Sequence, residues 1–257
     1  MDPAAFGFGG GRRRTPGLRR EEVAQRANIS ATWYTWLEQG RGGAPSVDVL
    51  DRLAGGLMLT EPEREHLFIL GVGRPPVTRY AACDDVTPRL QRVLDAFPLS
   101  PAIIKTATWD VLAWNRAAAL LLTDYAKLPR EDRNVLRLIF TNSRTRAAQA
   151  DWLPVARYVV GAFRADAARA GAGVEITKLV DELSRLSPEF AALWRENDVV
   201  GHADGRKRLR HPEQGLIELE FSVFAVDCRP DLGMLVYNAA SQESARRIEA
   251  LMAQAAV

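Results

Sequence analysis

From Leu18 to Gly71 the apolar positions recur at helical spacing, and the polar residues between them supply start and stop signals. Arg19–Ala27 reads as a short helix with Arg19 as N-cap. Leu18 and Val23 then stand where a hydrophobic staple forms, and Glu22 faces the positive helix end. After a break at Asn28-Ile29, Ser30 caps a second helix over Ala31–Gln39, which Gly40 stops. Val47, Leu50, Leu53, Ala54 and Leu57 make one stripe of a third helix, Ser46–Leu57. Thr60-Glu-Pro-Glu63 is a capping box that opens a fourth, Glu61–Leu70, with Leu67, Phe68 and Leu70 directed inward. Gly73-Arg-Pro-Pro-Val-Thr78 then breaks the periodicity, and 73–87 is expected to be a linker between units at 1–72 and 88–257.

Beyond the break, helical and strand periods mix. Leu90, Val93, Leu94 and Phe97 give an amphipathic helix over Arg89–Phe97. Ile103–Thr106 and Val111–Trp114 are short β-rich runs around a turn at Ala107–Asp110 and read as a hairpin. Asn115 caps a helix to Leu122; further helices are predicted at Arg130–Phe140, Ala148–Ala168, Ile176–Leu186 and Pro188–Asn197. The pattern then alternates: Ile217, Leu219, Phe221, Val223 and Ala225 lie on one side of a strand, with Lys207–His211 before it and Met234–Asn238 after the turn Asp227–Gly233. Ser241 caps a closing helix to Met252. The expected fold is an all-α helix-turn-helix followed by an α+β domain, with five antiparallel strands and a large helical insertion between the second and third.

Two short helices joined by a tight turn, with small Ala24 at the helix crossing and Ile29 plugging the turn, form a helix-turn-helix. Its spacing resembles the repressor-like, xenobiotic-response-element type. Arg12-Arg-Arg-Thr-Pro-Gly-Leu-Arg-Arg-Glu-Glu-Val-Ala24 with Trp33-Tyr-Thr-Trp-Leu-Glu-Gln-Gly-Arg41 is similar to the MmyB-like regulators. Thr108–Ala118, Ser187-Pro-Glu-Phe190 and Arg208-Leu-Arg-His-Pro212 resemble the PAS-like sensor domain of the same regulators. The resemblance implies a transcription regulator that binds double-stranded DNA, senses an apolar ligand of the fatty-acid kind and dimerises. It also implies a further helix ahead of the Gly/Arg stretch, so this chain is expected to lack its first helix and to leave Val23, Tyr34 and Leu37 partly uncovered. The alternative is therefore a ligand-binding or protein-interaction module that has lost DNA binding.

Charge sharpens this picture only once it is located. The net charge is +2, but Met1–Arg41 carries seven arginines against four acids, a density that suits phosphate contacts. Met1–Arg14, rich in glycine and ending in three arginines, reads as a flexible arm. On the docking geometry of such motifs, Ala31, Thr32, Trp33 and Trp36 of the second helix are candidates for the base edges, and Arg20 and Arg41 for phosphates. Packing against the neighbouring helix is an equal reading for both tryptophans.

The 257 residues are 47% hydrophobic and 26% charged, an ordinary globular balance. The longest apolar run, Ala117–Leu122, is far short of a membrane span, and the two cysteines cannot form a disulfide framework, so a reduced cytoplasmic setting without membrane partner is expected. The scattered His66, His202 and His211 give no metal spacing, and no nucleophile elbow or phosphate loop is present. Neither an enzyme nor a cofactor or metal is expected. Four of the six tryptophans fall in the second half. Trp109, Trp114, Phe140, Tyr158, Phe190, Trp194 and Phe221 are candidates to line an apolar cavity between sheet and helices, with Arg157, Arg195, Arg208 and Arg210 as carboxylate anchors. Ala225 is expected beside that cavity.

Overall fold

Two units, Met1–Val77 and Thr78–Val257, make up the chain in a computed structural model that describes residues 2–8, 17–76, 86–170, 173–196, 205–226 and 229–255. Arg12–Arg14, Cys83, Cys228, Asn197, His202 and residues 77–85 of the expected linker lie outside the described residues.

In the first unit α1 (Arg20–Arg26), α2 (Ala31–Glu38), α3 (Val47–Leu57) and α4 (Glu61–Val72) follow the capping residues. Glu22 Oε2 accepts from the Arg19 backbone N–H at 2.7 Å, and Ser30 Oγ accepts from the Trp33 N–H at 3.4 Å. The turn between α1 and α2 is a Schellman closure: the Ile29 N–H reaches the Ala24 carbonyl at 2.9 Å, with Asn28 left-handed at φ 51°. Gly40 (φ 65°) ends α2 in the same way. Leu53, Val23 and Ala27 centre the core, with Leu18, Ile29, Trp33, Tyr34 and Leu37 packed on it. Val23 is only 3% exposed, so it is covered where partial exposure was expected, whereas Tyr34 and Leu37 are half-buried, in keeping with partial exposure. Two further expectations are corrected. Leu70 is 72% exposed, because Phe68 alone takes the fully buried position on α4. Within the arm, Pro3–Phe6 form a 3-10 turn capped by Asp2, and the Arg26 guanidinium lies 3.9 Å over the Phe6 ring.

The second unit is built on a sheet of order β2-β1-β5-β4-β3, antiparallel at every pairing. Its strands are β1 (Ala102–Thr106), β2 (Val111–Trp114), β3 (Gly205–His211), β4 (Gly215–Val226) and β5 (Arg229–Ala239). Helices α5 (Pro88–Asp95), α6 (Arg116–Leu121), α7 (Val135–Thr141), α8 (Ser143–Ala148), α9 (Trp152–Ala170), α10 (Gly173–Leu186), α11 (Pro188–Arg195) and α12 (Gln242–Gln254) surround it. One face packs on α6, α7 and α12 through Ile217, Leu219, Leu235 and Ile248; α7, α9, α10 and α11 add an aromatic core of their own. The other face is covered by α5, where Leu94 meets Ala102, Ile104 and Val236. Helices therefore lie on both faces of the sheet.

Three element boundaries differ for identifiable reasons. Arg130–Phe140 is not one helix, because buried Asn134 caps α7 and turns back to the β1–β2 hairpin, donating to Thr108 O and Asp110 Oδ1 at 2.8 Å. The helix expected from Ala148 begins at Trp152, since Gln149 bridges to Leu209 and the Ala150 N–H donates to Arg208 O at 3.0 Å. Arg229–Gly233, expected as turn, is strand, because it pairs with the ends of β1 and β4. No helix among the described residues is long and apolar enough to cross a membrane.

Candidate functional site

In the first unit, the candidate nucleic-acid face is α2 and the turn after it. Thr32 and Arg41 are exposed, Trp36 is 50% exposed, and Ala31 is half-exposed at the first helical position. Trp33 is half-buried against the Val23–Ala27–Leu53 core, which matches the packing alternative for this residue. Arg20 is ion-paired through its Nε with Glu38, which bridges the start of α1 to the end of α2 and offsets its charge. Glu38 also hydrogen-bonds Tyr34, and burial followed by that contact pushes the phenol up to about 12. Arg41, by contrast, has no ion-pair partner among the described residues.

In the second unit, a cavity of about 240 Å³ opens between the sheet and the insertion helices. Its sheet side is Phe221 and Val223 of β4, Leu235 and Tyr237 of β5, and Gly205–Lys207 of edge strand β3. Its helix side is Val135 and Ile139 of α7 with Pro154, Val155, Tyr158 and Val159 of α9. Gly205 pairs with Phe221, and the absence of a side chain there lets the Phe221 ring lie across β3: a Cβ would come within 2.4 Å of it. The ring in turn packs 5.3 Å from Tyr158 and 5.8 Å from Tyr237.

At one wall stands Trp109, in a left-handed conformation (φ 65°) that a bulky side chain rarely adopts. Two sets of bonds hold it there. Asn134 and the Thr106–Thr108–Asp110 network fix the turn, with Thr108 Oγ1 donating to Asp110 Oδ2 at 2.6 Å. Asp166 of α9 accepts from the indole Nε1 and from Lys105 Nζ, both at 2.7 Å, and the ammonium lies 4.3 Å from the Trp109 ring centroid. Lys105 and Asp166 form a buried pair that ties β1 to α9, so the lysine charge is already matched.

Of the sequence candidates, the structure brings Trp109, Tyr158 and Phe221 together at this cavity and not the others. Trp114 packs on Tyr125 at 5.2 Å. Phe140, Phe190 and Trp194 form the core of the helical insertion, with Phe140 and Phe190 edge-to-face at 5.1 Å and Phe190 and Trp194 stacked at 5.9 Å. Arg208 turns outward to Asp151 (3.0 Å) and Glu218 (3.2 Å), and Arg157 pairs with Glu196, so neither anchors a ligand here. Ala225 is exposed, beyond the inward part of β4, and is not beside the cavity. Sequence reasoning missed Lys105 and Lys207. The available signal was their rarity: the chain has four lysines, and these two fall on strands.

Among known families, the description "MmyB-like transcription regulator ligand binding domain" matches residues 86–251, and "Helix-turn-helix domain" matches residues 11–67. No curated protein matches the chain. The first match spans the cavity and every strand around it; the second spans α1, α2 and α3.

Proposed function

The chain belongs to the MmyB-like transcription regulators, and from that premise we propose that it is a one-component regulator, reading DNA through α2 and sensing an apolar molecule, a fatty acid among them, in the cavity of its second unit. Transcription regulation through a DNA-binding and a ligand-binding domain is what the two family matches carry. The finer assignment rests chiefly on one observation: an apolar cavity walled by Phe221, Tyr158, Trp109, Val155 and Leu235 inside the region matched as ligand-binding. In this reading α2 lies in the major groove, Thr32 and Trp36 meet base edges with Ala31 near a thymine methyl, and Arg41 contacts phosphate. Arg20 contributes less than Arg41, because Glu38 already holds it. The functional form is a homodimer acting in the cytoplasm, with residues 73–87 as linker and no catalytic role.

Selection of duplexes from a random library by the full-length protein tests the DNA half. A recurrent motif is expected, bound at least a thousandfold more tightly than unrelated duplex at moderate salt, in line with the ~10³–10⁷ range for specific readers. Enrichment of no sequence at any salt concentration would contradict it.

A further inference from the structure

We propose that Lys207 and Tyr158 form a head-group clamp at the C-terminal cavity, so that it selects apolar molecules ending in a carboxylate over neutral ones of the same shape. The proposal rests on reading that cavity as the ligand site and specifies what the site recognises.

Lys207 occupies an inward position of β3, on the same side as Gly205 and buried Leu209 and directly opposite Leu219 in the β3–β4 register. A cation at such a position is out of place on a face that otherwise packs apolar side chains. Among the described residues its ammonium has no hydrogen-bond or ion-pair partner, and it lies 5.3 Å over the Tyr237 ring. Across the cavity, α9 supplies Tyr158, whose hydroxyl is buried without a hydrogen-bond partner. Both groups border the same space and both are donors. The Tyr158 hydroxyl is buried and the Lys207 side chain half-buried; a buried donor normally finds an acceptor, so the ligand atoms that complete this site are acceptors. Next to an ammonium in an apolar wall, a charged acceptor forms the stronger bond.

The other cations of the wall do not compete. Lys105 is held by Asp166 and Arg206 by Glu220 at 3.2 Å. The groups that face Lys207 are Tyr158 of α9 and Tyr237 of β5, with Tyr125 and Gln149 in the smaller space on its other side. Burial raises all three phenols, so they stay neutral through the range in which lysine titrates, whereas burial lowers Lys207 to about 8. A bound carboxylate favours the protonated ammonium. Preference for acids is therefore full below about pH 8 and declines as pH rises past it.

The cavity's ~240 Å³ equals about eight liquid-water volumes, so octanoate and 1-octanol are suitable probes, sharing one chain and differing in the head. Both are titrated calorimetrically into the full-length delipidated protein at pH 7 and pH 9.5. Octanoate is expected to bind at least tenfold more tightly than octanol at pH 7, with the ratio shrinking at pH 9.5. Lys207→Met, which keeps the stem volume, is expected to bring the ratio near one while octanol affinity is kept. Tyr158→Phe is expected to weaken octanoate several-fold and octanol little. Equal binding of both probes to the wild-type protein, or an undiminished acid preference in Lys207→Met, overturns the clamp. Binding of neither probe overturns the ligand-site reading itself and the clamp with it; retained octanol binding in the variants shows that they fold.

Discussion

Gly205 shows how one residue shapes the site without touching a ligand. Any side chain there displaces the Phe221 ring that walls the cavity, since a Cβ would stand 2.4 Å from it. Gly205→Ala is therefore expected to lower octanol affinity at least tenfold while costing about 1–3 kcal/mol in stability, the usual range for an overpacked position; calorimetry and urea unfolding measure the two. Lys207 supplies a second residue-scale test. Its ammonium is held at about 8, below the ~10.4 of a free lysine. Between those values the unfolded chain binds more protons than the folded one, so this group's destabilising effect is full below pH 8 and fades as pH rises toward 10.4. Lys207→Met should accordingly be more stable than wild type at pH 7, with the advantage narrowing by pH 10 in parallel urea titrations; a constant difference would contradict a desolvated ammonium at this half-buried position. Gly205 does not stand out in the sequence, and Lys207 does so only as one of four lysines. Alternation along β4 marked Phe221 as inward, but periodicity reports that a side chain is buried, not whether it borders packed atoms or open space. Phe140, Phe190 and Trp194 have the same composition signal as Tyr158 and turned out to be core. Arginine, the abundant cation, supplies no anchor, because Arg208 and Arg157 are taken by neighbouring acids.

At the scale of elements, the sequence was most legible where a cap or a period carries the physics. Ser30, Thr60, Asn115, Ser187 and Ser241 all stand at the N-termini they were expected to cap. What could not be read was a break imposed from a distance, as where Asn134 leaves helical geometry to bond the hairpin turn and Gln149 leaves it to bridge to Leu209. Two element-scale predictions follow from conformation and pairing. Met58 ends α3 in the left-handed region (φ 51°) and is 54% exposed. Met58→Gly removes that cost at little packing loss, and should stabilise the first unit by up to about 1 kcal/mol in thermal unfolding. Asp166→Ala should do the reverse to the second unit. It takes from buried Lys105 the carboxylate it pairs with and frees α9 from β1, at about 3–5 kcal/mol, measurable by urea unfolding. On α2, Arg41→Ala is expected to weaken binding to all duplexes alike and reduce the salt slope by about one, while Thr32→Ala should change which motif is selected.

For the whole molecule, the division into a helical first unit and an antiparallel α+β second unit follows from the switch between helical and alternating periods on either side of Gly73–Thr78. The pairing order β2-β1-β5-β4-β3 brings Gly205 and Lys207 of one edge strand beside Phe221 and Tyr237, and the insertion carries Tyr158 to face them. That assembly is a property of topology, which no single segment encodes. In the proposed function, occupancy of this cavity changes how the helix-turn-helix binds DNA. The most direct test is fluorescence anisotropy of a selected duplex with the full-length protein, with and without saturating octanoate, for wild type and Lys207→Met. Linkage between two sites commonly amounts to ~5–150-fold, and a change of at least fivefold in wild-type DNA affinity is expected; Lys207→Met, whose affinity without octanoate matches wild type, is expected to need at least tenfold more octanoate to show it. DNA affinity that stays the same when octanoate fills the cavity would contradict the claim.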